Sequence, residues 1–242
     1  MFSYIWHTIF FDPIYNTLVF FVDVVRGGDV GLAIIATVVV VKMVLLPLSI
    51  KAAKTQKIMR EIEPKLKEIK ETHKDNREEQ ARAMMAIYKE ANLNPFASIL
   101  LIFLQIPIVI ALYFAVSNGG GIALPAINTS LLYSFIPEPV TVSMNFLGMF
   151  DIASRSILLA FAAGVTQYIF TSMTLPKLPP READAAPNFK EDFTRNMHVQ
   201  MKYVMPILIV FIAYTISAAI ALYFFVSNLV AIAQEFYVRK HR

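Results

Sequence analysis

Long apolar stretches separated by shorter polar ones make up most of this chain. The first uninterrupted apolar stretch, 30–50, holds one charged side chain, Lys42. About 20 residues rising ~1.5 Å each cross the ~30 Å hydrocarbon core of a bilayer, so this stretch predicts a transmembrane helix. A cation near the centre of such a helix costs roughly 2.5–3.5 kcal/mol on insertion scales. We therefore expect Lys42 to face protein or water instead of lipid.

Further apolar stretches follow, and the last of them, 201–236, is too long for one span. We divide it near 214–217 into two tightly connected helices. The chain is 57% hydrophobic, far more than a soluble domain of 242 residues needs. The predicted fold class is therefore all-α, a polytopic membrane protein with five transmembrane helices. The predicted spans are 29–50, 94–117, 156–175, 201–215 and 217–237.

The most charged part of the chain, 51–93, lies between the first two spans. It holds eleven cations and eight acids, with apolar positions at helical spacing, which predicts two helices with a break near 73–76. We interpret it as a helical hairpin outside the membrane. Its cations either fix the topology only, or bind something acidic such as ribosomal RNA or anionic headgroups. The candidate contacts are Lys54, Lys57, Arg60, Lys65, Lys67, Arg77 and Arg82.

The amino-terminal stretch, 1–28, is apolar but interrupted by polar residues. It has no cation before its apolar part and no small-residue cleavage site, so it does not resemble a removable signal peptide. We favour an interfacial amphipathic helix over a transmembrane one. Its expected membrane anchors are Trp6, Phe10, Phe11 and Tyr15.

Cations are distributed unevenly among the connections. With the hairpin in the cytoplasm, 19 of the 22 lysines and arginines lie inside, Arg26 and Arg155 lie outside, and Lys42 lies within the membrane. The positive-inside rule then predicts an external amino terminus and a cytoplasmic carboxyl terminus. The other connections are an external loop at 118–155, a proline-rich cytoplasmic loop at 176–200 and a basic cytoplasmic tail at 238–242.

Several kinds of chemistry are excluded by residue type. The absence of cysteine removes disulfides, thiolate metal sites and cysteine nucleophiles. The four histidines have no ligand spacing, so no metal site is predicted. No nucleotide-binding, protease or redox motif occurs. We expect a protein that is not an enzyme and that uses no cofactor.

Lys42 is the leading candidate for a functional residue. It lies about eight residues, hence ~12 Å, from the cytoplasmic end of its span. Either its long side chain reaches for the headgroups, or it lines a water-filled cavity that opens to the cytoplasm. No acid lies in the span cores to pair with it, which favours the cavity. The candidate lining residues are Lys42, Gln105, Thr166, Gln167, Tyr203, Ser217 and Ser227.

The polar partners of Lys42 have a simpler interpretation as well. Gln105 and Gln167 can hydrogen-bond neighbouring helices, each bond contributing only ~0.6 kcal/mol on average. Ser217 and Ser227 can bond the carbonyl one turn back in their own helix, which favours helix packing for both.

Four segments, in this order and spacing, carry a resemblance to a known family. They are LPLSIKAAKTQKIM after Lys42, AIYKEANLNPF at the end of the charged stretch, LQIPIVIALYFAV in the second span and YFFVSNLVAIAQE in the last. With them the chain resembles the YidC family of membrane protein insertases, part of the YidC/Oxa/Alb superfamily, in its short bacterial form. The resemblance covers about 4–238.

The resemblance implies five spans around a hydrophilic groove that is closed to the outside and open to the cytoplasm and lipid. A cation in the groove receives the polar outer segment of a substrate while the substrate's apolar helix passes into lipid. The implied function is a membrane protein insertase and chaperone of the bacterial inner membrane. The implied partners are nascent membrane proteins, the ribosome, the Sec translocon and membrane lipids, with no small-molecule cofactor.

Two positions depart from the family pattern. The groove cation is usually arginine, whereas this chain has Lys42, which lacks the guanidinium fork. The family's Pro-x-Gly before the last span is replaced by Ser217-Ala218-Ala219.

Two other functions fit the residues less well. A small-solute or anion transporter or channel using Lys42 is the first, although transporters usually show internal repeats and none is visible here. A scaffold whose basic hairpin recruits partners is the second.

Overall fold

The computed structural model describes residues 2–74, 76–91, 96–118, 121–175 and 195–240, and most of these are helical. The chain forms two compact units, one of Met1–Met43 with Pro107–Arg242 and the other of Val44–Ile106. The α-helices are α1 Phe2–Ile5, α2 Asp12–Val24, α3 Val30–Thr72, α4 Arg77–Glu90, α5 Phe96–Ser117, α6 Ile157–Thr174, α7 Met205–Ile216 and α8 Ala218–Lys240. π-Helical turns lie at Trp6–Phe11 and Gln200–Val204, and 3-10 turns lie at Arg26–Gly28 and Thr129–Leu131. Two short strands are present, β1 Asn145–Phe146 and β2 Phe150–Asp151.

Four helical segments in the described ranges are long and apolar enough to cross a membrane. They are Val30–Thr55, Ile157–Thr174, Arg195–Ile216 and Ala218–Lys240. A shorter apolar segment, Phe103–Ser117, forms the end of α5. The predicted helical multi-pass architecture is thus confirmed, and the number of five spans stays a prediction.

Two of the predicted helix boundaries agree closely with the structure. α6 begins after Ser156, whose hydroxyl oxygen accepts the Leu159 N–H at 3.3 Å and so caps the helix. The α7–α8 break lies at Ser217, whose backbone is extended (φ −168°, ψ 163°). That position is inside the predicted 214–217 junction.

Two other boundaries differ. α3 runs from Val30 to Thr72 without a break and contains Pro47 and Pro64, so the first span and the first helix of the charged stretch are one helix. Residues 195–199 are already helical, so the predicted 176–200 loop is wrong at its carboxyl end. Residues 176–194 lie outside the described residues.

The amino-terminal helices pack on the connection formed by residues 121–155. The Asn16 amide nitrogen donates to the Leu131 carbonyl at 2.9 Å, and its oxygen accepts the Tyr133 N–H at 2.7 Å. The Tyr15 hydroxyl accepts the Asn128 N–H at 2.8 Å. Burial raises the pKa of Tyr15, and the Asn128 bond opposes that rise.

This packing corrects the predicted membrane anchors at two positions. Phe11 and Tyr15 are buried inside the protein, and their rings stack with centroids 5.8 Å apart. Protein therefore covers both rings, and neither serves as an anchor in lipid. Trp6 and Phe10 are partly exposed and keep that predicted role.

α6, α7 and α8 form the tightest packing in the first unit. Their contact is built from small side chains, including Ala160, Ala213 and Ala221. A Cβ on Gly164 of α6 would lie 2.2 Å from the Val210 Cγ2 atom of α7. Only glycine permits the two helices to approach this closely.

The second unit contains the turn between α3 and α4. α4 begins after Asn76, whose side-chain oxygen accepts the Glu79 N–H at 3.2 Å. The Gln80 amide reaches back to the Lys70 carbonyl at 3.1 Å. α3 thus ends and α4 begins on either side of the predicted 73–76 break.

Candidate functional site

A buried carboxylate closes one end of the bundle. The Asp29 Oδ1 atom accepts the N–H groups of Gly31 at 2.8 Å and Leu32 at 3.1 Å. Its Oδ2 atom accepts the Leu147 N–H at 2.8 Å, and the Val30 N–H donates to the Ser143 carbonyl at 3.0 Å. The first turn of α3 is therefore joined to the 121–155 connection by both main-chain and side-chain bonds.

The first turn of α8 is closed by the same connection. Ala218 donates its N–H to the Ser154 carbonyl at 2.7 Å, and Ala219 donates to the Ile152 carbonyl at 3.1 Å. The first N–H groups of a helix have no partner within the helix, and here loop carbonyls supply one. We call this end of the first unit, where residues 121–155 meet α3 and α8, the loop end.

Burial along α3 changes sharply near Lys42. Between 30 and 38 most side chains are buried, and Val38 is 2% exposed. From 40 to 43, where α3 leaves the first unit, no residue is buried, and Met43 is 62% exposed. Lys42 is partly buried, twelve residues or ~18 Å from the start of α3. The candidate cation thus lies just past the point where protein ceases to cover the helix.

Along α8 the pattern is the same. All residues from 218 to 223 and from 226 to 228 are buried, whereas none in 229–240 is. The two spans that are closed at the loop end are therefore both uncovered toward the other end.

A buried polar pair joins α6 to α8 at the depth where this change occurs. The Asn228 amide nitrogen donates to the Ala163 carbonyl at 3.3 Å and to the Thr166 hydroxyl at 3.4 Å. The Thr166 hydroxyl donates to the Ala162 and Ala163 carbonyls, each at 3.0 Å. Thr166 is a predicted site residue, but its partner Asn228 was not among the candidates. The polar side chain of Asn228 near the centre of the last predicted span was the signal from which its role could have been predicted.

The serines among the candidates lie inside the protein. Ser227 is buried and hydrogen-bonded to Tyr223, one turn earlier in α8. Ser217 is buried at the α7–α8 junction, at the loop end, and its carbonyl accepts the Ala221 N–H at 3.2 Å.

The remaining candidates are more accessible. Gln167 is partly buried and donates to the Thr171 hydroxyl at 3.1 Å. Tyr203 is exposed, and its ring lies 5.9 Å from that of Tyr168 on α6. Gln105 is partly buried and belongs to the second unit.

The seven candidate contacts in the charged stretch differ in whether an acid already faces them. Lys67 pairs with Glu63 at 3.2 Å, and Arg82 pairs with Glu78 at 2.7 Å. The side chains of Lys57 and Arg60 lie outside the described residues. The other three are exposed and form no ion pair with any side chain that the structure describes; they are Lys54, Lys65 and Arg77.

One cation of the predicted tail joins two helices. Arg239 donates through Nη2 to the Met173 carbonyl at the end of α6 and through Nε to Glu235 at 2.8 Å. A cation at a helix carboxyl end also interacts favourably with the helix dipole. Arg239 thus holds α6 and α8 together at the end opposite the loop end.

Comparison with known proteins identifies the family. The sequence profile of the 60Kd inner membrane proteins matches residues 20–242. The chain belongs to this family. The resemblance to YidC proteins drawn from the sequence motifs is thereby confirmed.

Curated relatives similar to this chain are named membrane protein insertases. A membrane protein insertase YidC of Clostridium tetani is 32% identical over 87% of this chain and 81% of its own. That of Oceanobacillus iheyensis is 30% identical over 98% of this chain and 84% of its own. That of Pelobacter propionicus is 28% identical over 97% of this chain, which matches 39% of the longer relative. Family membership and the apolar helices place the protein in a bacterial inner membrane as a multi-pass protein.

Proposed function

We propose that this protein is a membrane protein insertase and chaperone that passes nascent membrane proteins through a hydrophilic groove. One observation carries the proposal: within the first unit, α3 and α8 are buried and closed at the loop end, whereas no residue in 40–43 of α3 or 229–240 of α8 is buried. Such a bundle admits a substrate from one side of the membrane and from lipid, while the loop end blocks passage to the other side. The insertases of the family are not enzymes, so no bond chemistry is required.

The driving free energy comes from the substrate itself. A substrate helix gains apolar burial as it moves into lipid, and its polar outer segment is the part that is costly to move. Lys42, partly buried at the start of the uncovered region, offers that segment a positive charge. Its own insertion costs roughly 2.5–3.5 kcal/mol on insertion scales, so an acidic passing segment stabilises both partners.

We assign the proposed groove residues two different roles, according to their burial. Lys42 and Gln167, which are partly buried, and Tyr203, which is exposed, are assigned to substrate contact. Thr166, Ser217 and Ser227 are buried and hydrogen-bonded, and we assign them to holding the groove wall. Gln105 stays a proposed groove residue.

The charged hairpin and the orientation complete the proposal. With the amino terminus outside, the hairpin lies in the cytoplasm, where the exposed cations Lys54, Lys65 and Arg77 meet the ribosome. The Sec translocon is a second proposed partner. An anion transporter is not supported by the relatives described above, which are named insertases.

The Lys42 charge is tested in cells depleted of their own insertase. Wild-type and Lys42→Arg, Lys42→Gln and Lys42→Glu chains are expressed with a single-span substrate that has an acidic outer segment. We expect Lys42→Arg to insert like the wild type, Lys42→Gln to insert less and Lys42→Glu least. Insertion is read as protease access to the outer segment.

A relocated lysine gives the matched control. Lys42→Gln combined with Met43→Lys keeps the charge but moves it to an exposed neighbour on another face of α3. We expect this pair to insert no better than Lys42→Gln alone, while a substrate with a neutral segment is inserted by all variants. Equal insertion of the acidic substrate by wild type and Lys42→Glu would refute the charge mechanism.

Ribosome binding is tested by co-sedimentation at increasing salt. Alanine at Lys54, Lys65 and Arg77 is expected to weaken binding and to flatten its salt dependence. Alanine at Lys67 and Arg82, whose charges already face acids, is the control and is expected to have a smaller effect.

A further inference from the structure

The connection between α5 and α6 exposes an unusual number of apolar side chains. Phe135 is 79% exposed, Val140 95% and Met149 71%. Within 121–150 the sequence holds one charged residue, Glu138. Large apolar side chains exposed to this degree within one connection point to a surface that contacts protein or membrane.

The exposed residues belong to an ordered segment. The β1–β2 hairpin pairs Asn145 with Asp151 and Phe146 with Phe150. Phe146 is buried, whereas Leu147 and Met149 point outward. Leu147 adopts a positive φ of 53°, which is uncommon for a residue with a side chain, and its N–H is held by Asp29. The apolar tip is therefore presented outward by specific bonds.

The same connection lies level with the ends of the spans. Its Ser143, Ile152 and Ser154 carbonyls accept N–H groups from the first turns of α3 and α8. α6 starts directly after it, with Ile157 and Phe161 exposed as lipid-facing side chains would be. The exposed apolar side chains of the connection are thus followed along the chain by those of a membrane-spanning helix.

A second attachment ties the connection to the amino-terminal helices. The buried Asn16 side chain binds the main chain on both sides of Leu132, and the Tyr133 ring lies 5.6 Å from that of Phe135. On the helices themselves, Tyr4 and Ile9 are exposed. The amino-terminal helices that carry these exposed residues are therefore hydrogen-bonded to the connection.

The charges of this region favour neutral lipid over acidic partners. In sequence, 1–28 holds the acids Asp12 and Asp23 and the cation Arg26, and 121–155 holds the acids Glu138 and Asp151 and the cation Arg155. Such a surface has no cluster of positive charge to attract anionic headgroups. Aromatic and aliphatic side chains at this level fit the boundary between headgroups and acyl chains.

We propose that the connection is a lipid-docking surface that enters the headgroup and upper acyl region of the leaflet at the loop end. Its side chains are Tyr133, Phe135, Val140, Leu147 and Met149. Docking anchors the closed end of the bundle in the membrane by apolar contact. It does not depend on substrate insertion.

Fluorescence of a single tryptophan tests the proposal, because Trp6 is the only tryptophan in the chain. The full chain carrying Trp6→Phe and Phe135→Trp is reconstituted in phosphatidylcholine vesicles, and a second variant carries Met149→Trp instead. We expect blue-shifted emission that is quenched by lipids brominated near the headgroup and is insensitive to salt. Aqueous iodide is expected to quench it weakly.

Two further positions calibrate the measurement. Ala81→Trp on the exposed face of α4 reports water, and Phe161→Trp on α6 reports the membrane interior. If Phe135→Trp and Met149→Trp both behave like Ala81→Trp, the surface faces water, is free for a protein partner, and the proposal is wrong. Circular dichroism of each variant shows whether the helices are retained.

Discussion

The two ends of the bundle are built on different principles. At the loop end, backbone groups, a buried carboxylate and close-packed side chains connect α3 and α8 to the intervening connection. Toward the other end, the same two helices show no buried residue in 40–43 or 229–240 of the first unit. One end is thus a packed protein interior, and the other leaves side chains for lipid, water or substrate.

The difference shows how a bundle can be held together at one end while its side chains are exposed at the other. Hydrogen bonds to loop carbonyls satisfy helix amino termini that a membrane would otherwise leave without partners. At the opposite end the helices are joined by a few hydrogen bonds, such as the one from Arg239 of α8 to α6. Substitutions of similar chemistry should therefore have large effects at the loop end and small effects elsewhere.

The largest loss of stability is expected for Gly31→Val. A Cβ at this position would lie 2.3 Å from the Phe146 Cδ2 atom, and Phe146 is itself buried. Overpacking of this kind costs about 3 kcal/mol at the upper end of the usual range. Unfolding in mixed micelles, followed by far-ultraviolet circular dichroism, measures the loss. In a double-mutant cycle, Phe146→Ala should recover part of it; strictly additive effects would mean that the two positions do not collide.

A smaller loss is expected when Asp29 is changed. Asp29→Ala removes the acceptor of three N–H groups, for which we expect about 2 kcal/mol. Asp29→Asn keeps one acceptor oxygen and should lose less. The same unfolding assay measures both, and Asp23→Ala, at an exposed site in α2, is the control. Equal stability of Asp29→Ala and Asp23→Ala would show that the loop end does not depend on this carboxylate.

Features that depend on local sequence were predicted well. The start of the third span at Ser156, the 214–217 junction and the 73–76 break each follow from residues within a few positions. The uninterrupted course of α3 was missed, because the boundary at 50 was placed where the sequence changes from apolar to charged, whereas the helix continues across that change and through Pro47 and Pro64.

Features that depend on distant residues were not predicted. The bond from Leu147 to Asp29 spans 118 positions, and the bond from Asn228 to Ala163 spans 65. Phe11 and Tyr15 match the pattern of interfacial aromatics, yet the 121–155 connection covers Tyr15. Periodicity shows that a position has an apolar neighbour, but whether that neighbour is lipid or protein is decided by the fold.

The same substitution, valine to alanine, can be made at a buried and at an exposed position of α3. Val38→Ala removes buried methyl groups and is expected to cost about 1.5 kcal/mol through lost contacts and a cavity. Val44→Ala changes an exposed side chain and is expected to stay within about 0.5 kcal/mol of the wild type. The assay is again unfolding in mixed micelles. Equal losses at both positions would erase the proposed distinction between the two parts of α3.

Among the buried positions, the smallest effect is expected at the polar pair between α6 and α8. Asn228→Ala removes bonds to Thr166 and Ala163, and such bonds between membrane helices average only ~0.6 kcal/mol. Thr166→Val removes the same partner from the other side, so the double variant should lose little more than either single one. The unfolding free energies of the four proteins give the coupling. If the loss of unfolding free energy at Asn228 were as large as that at Asp29, the α6–α8 contact midway along the bundle would be as important for stability as the loop end. The weakly packed part of the bundle would then begin further from the loop end than Lys42.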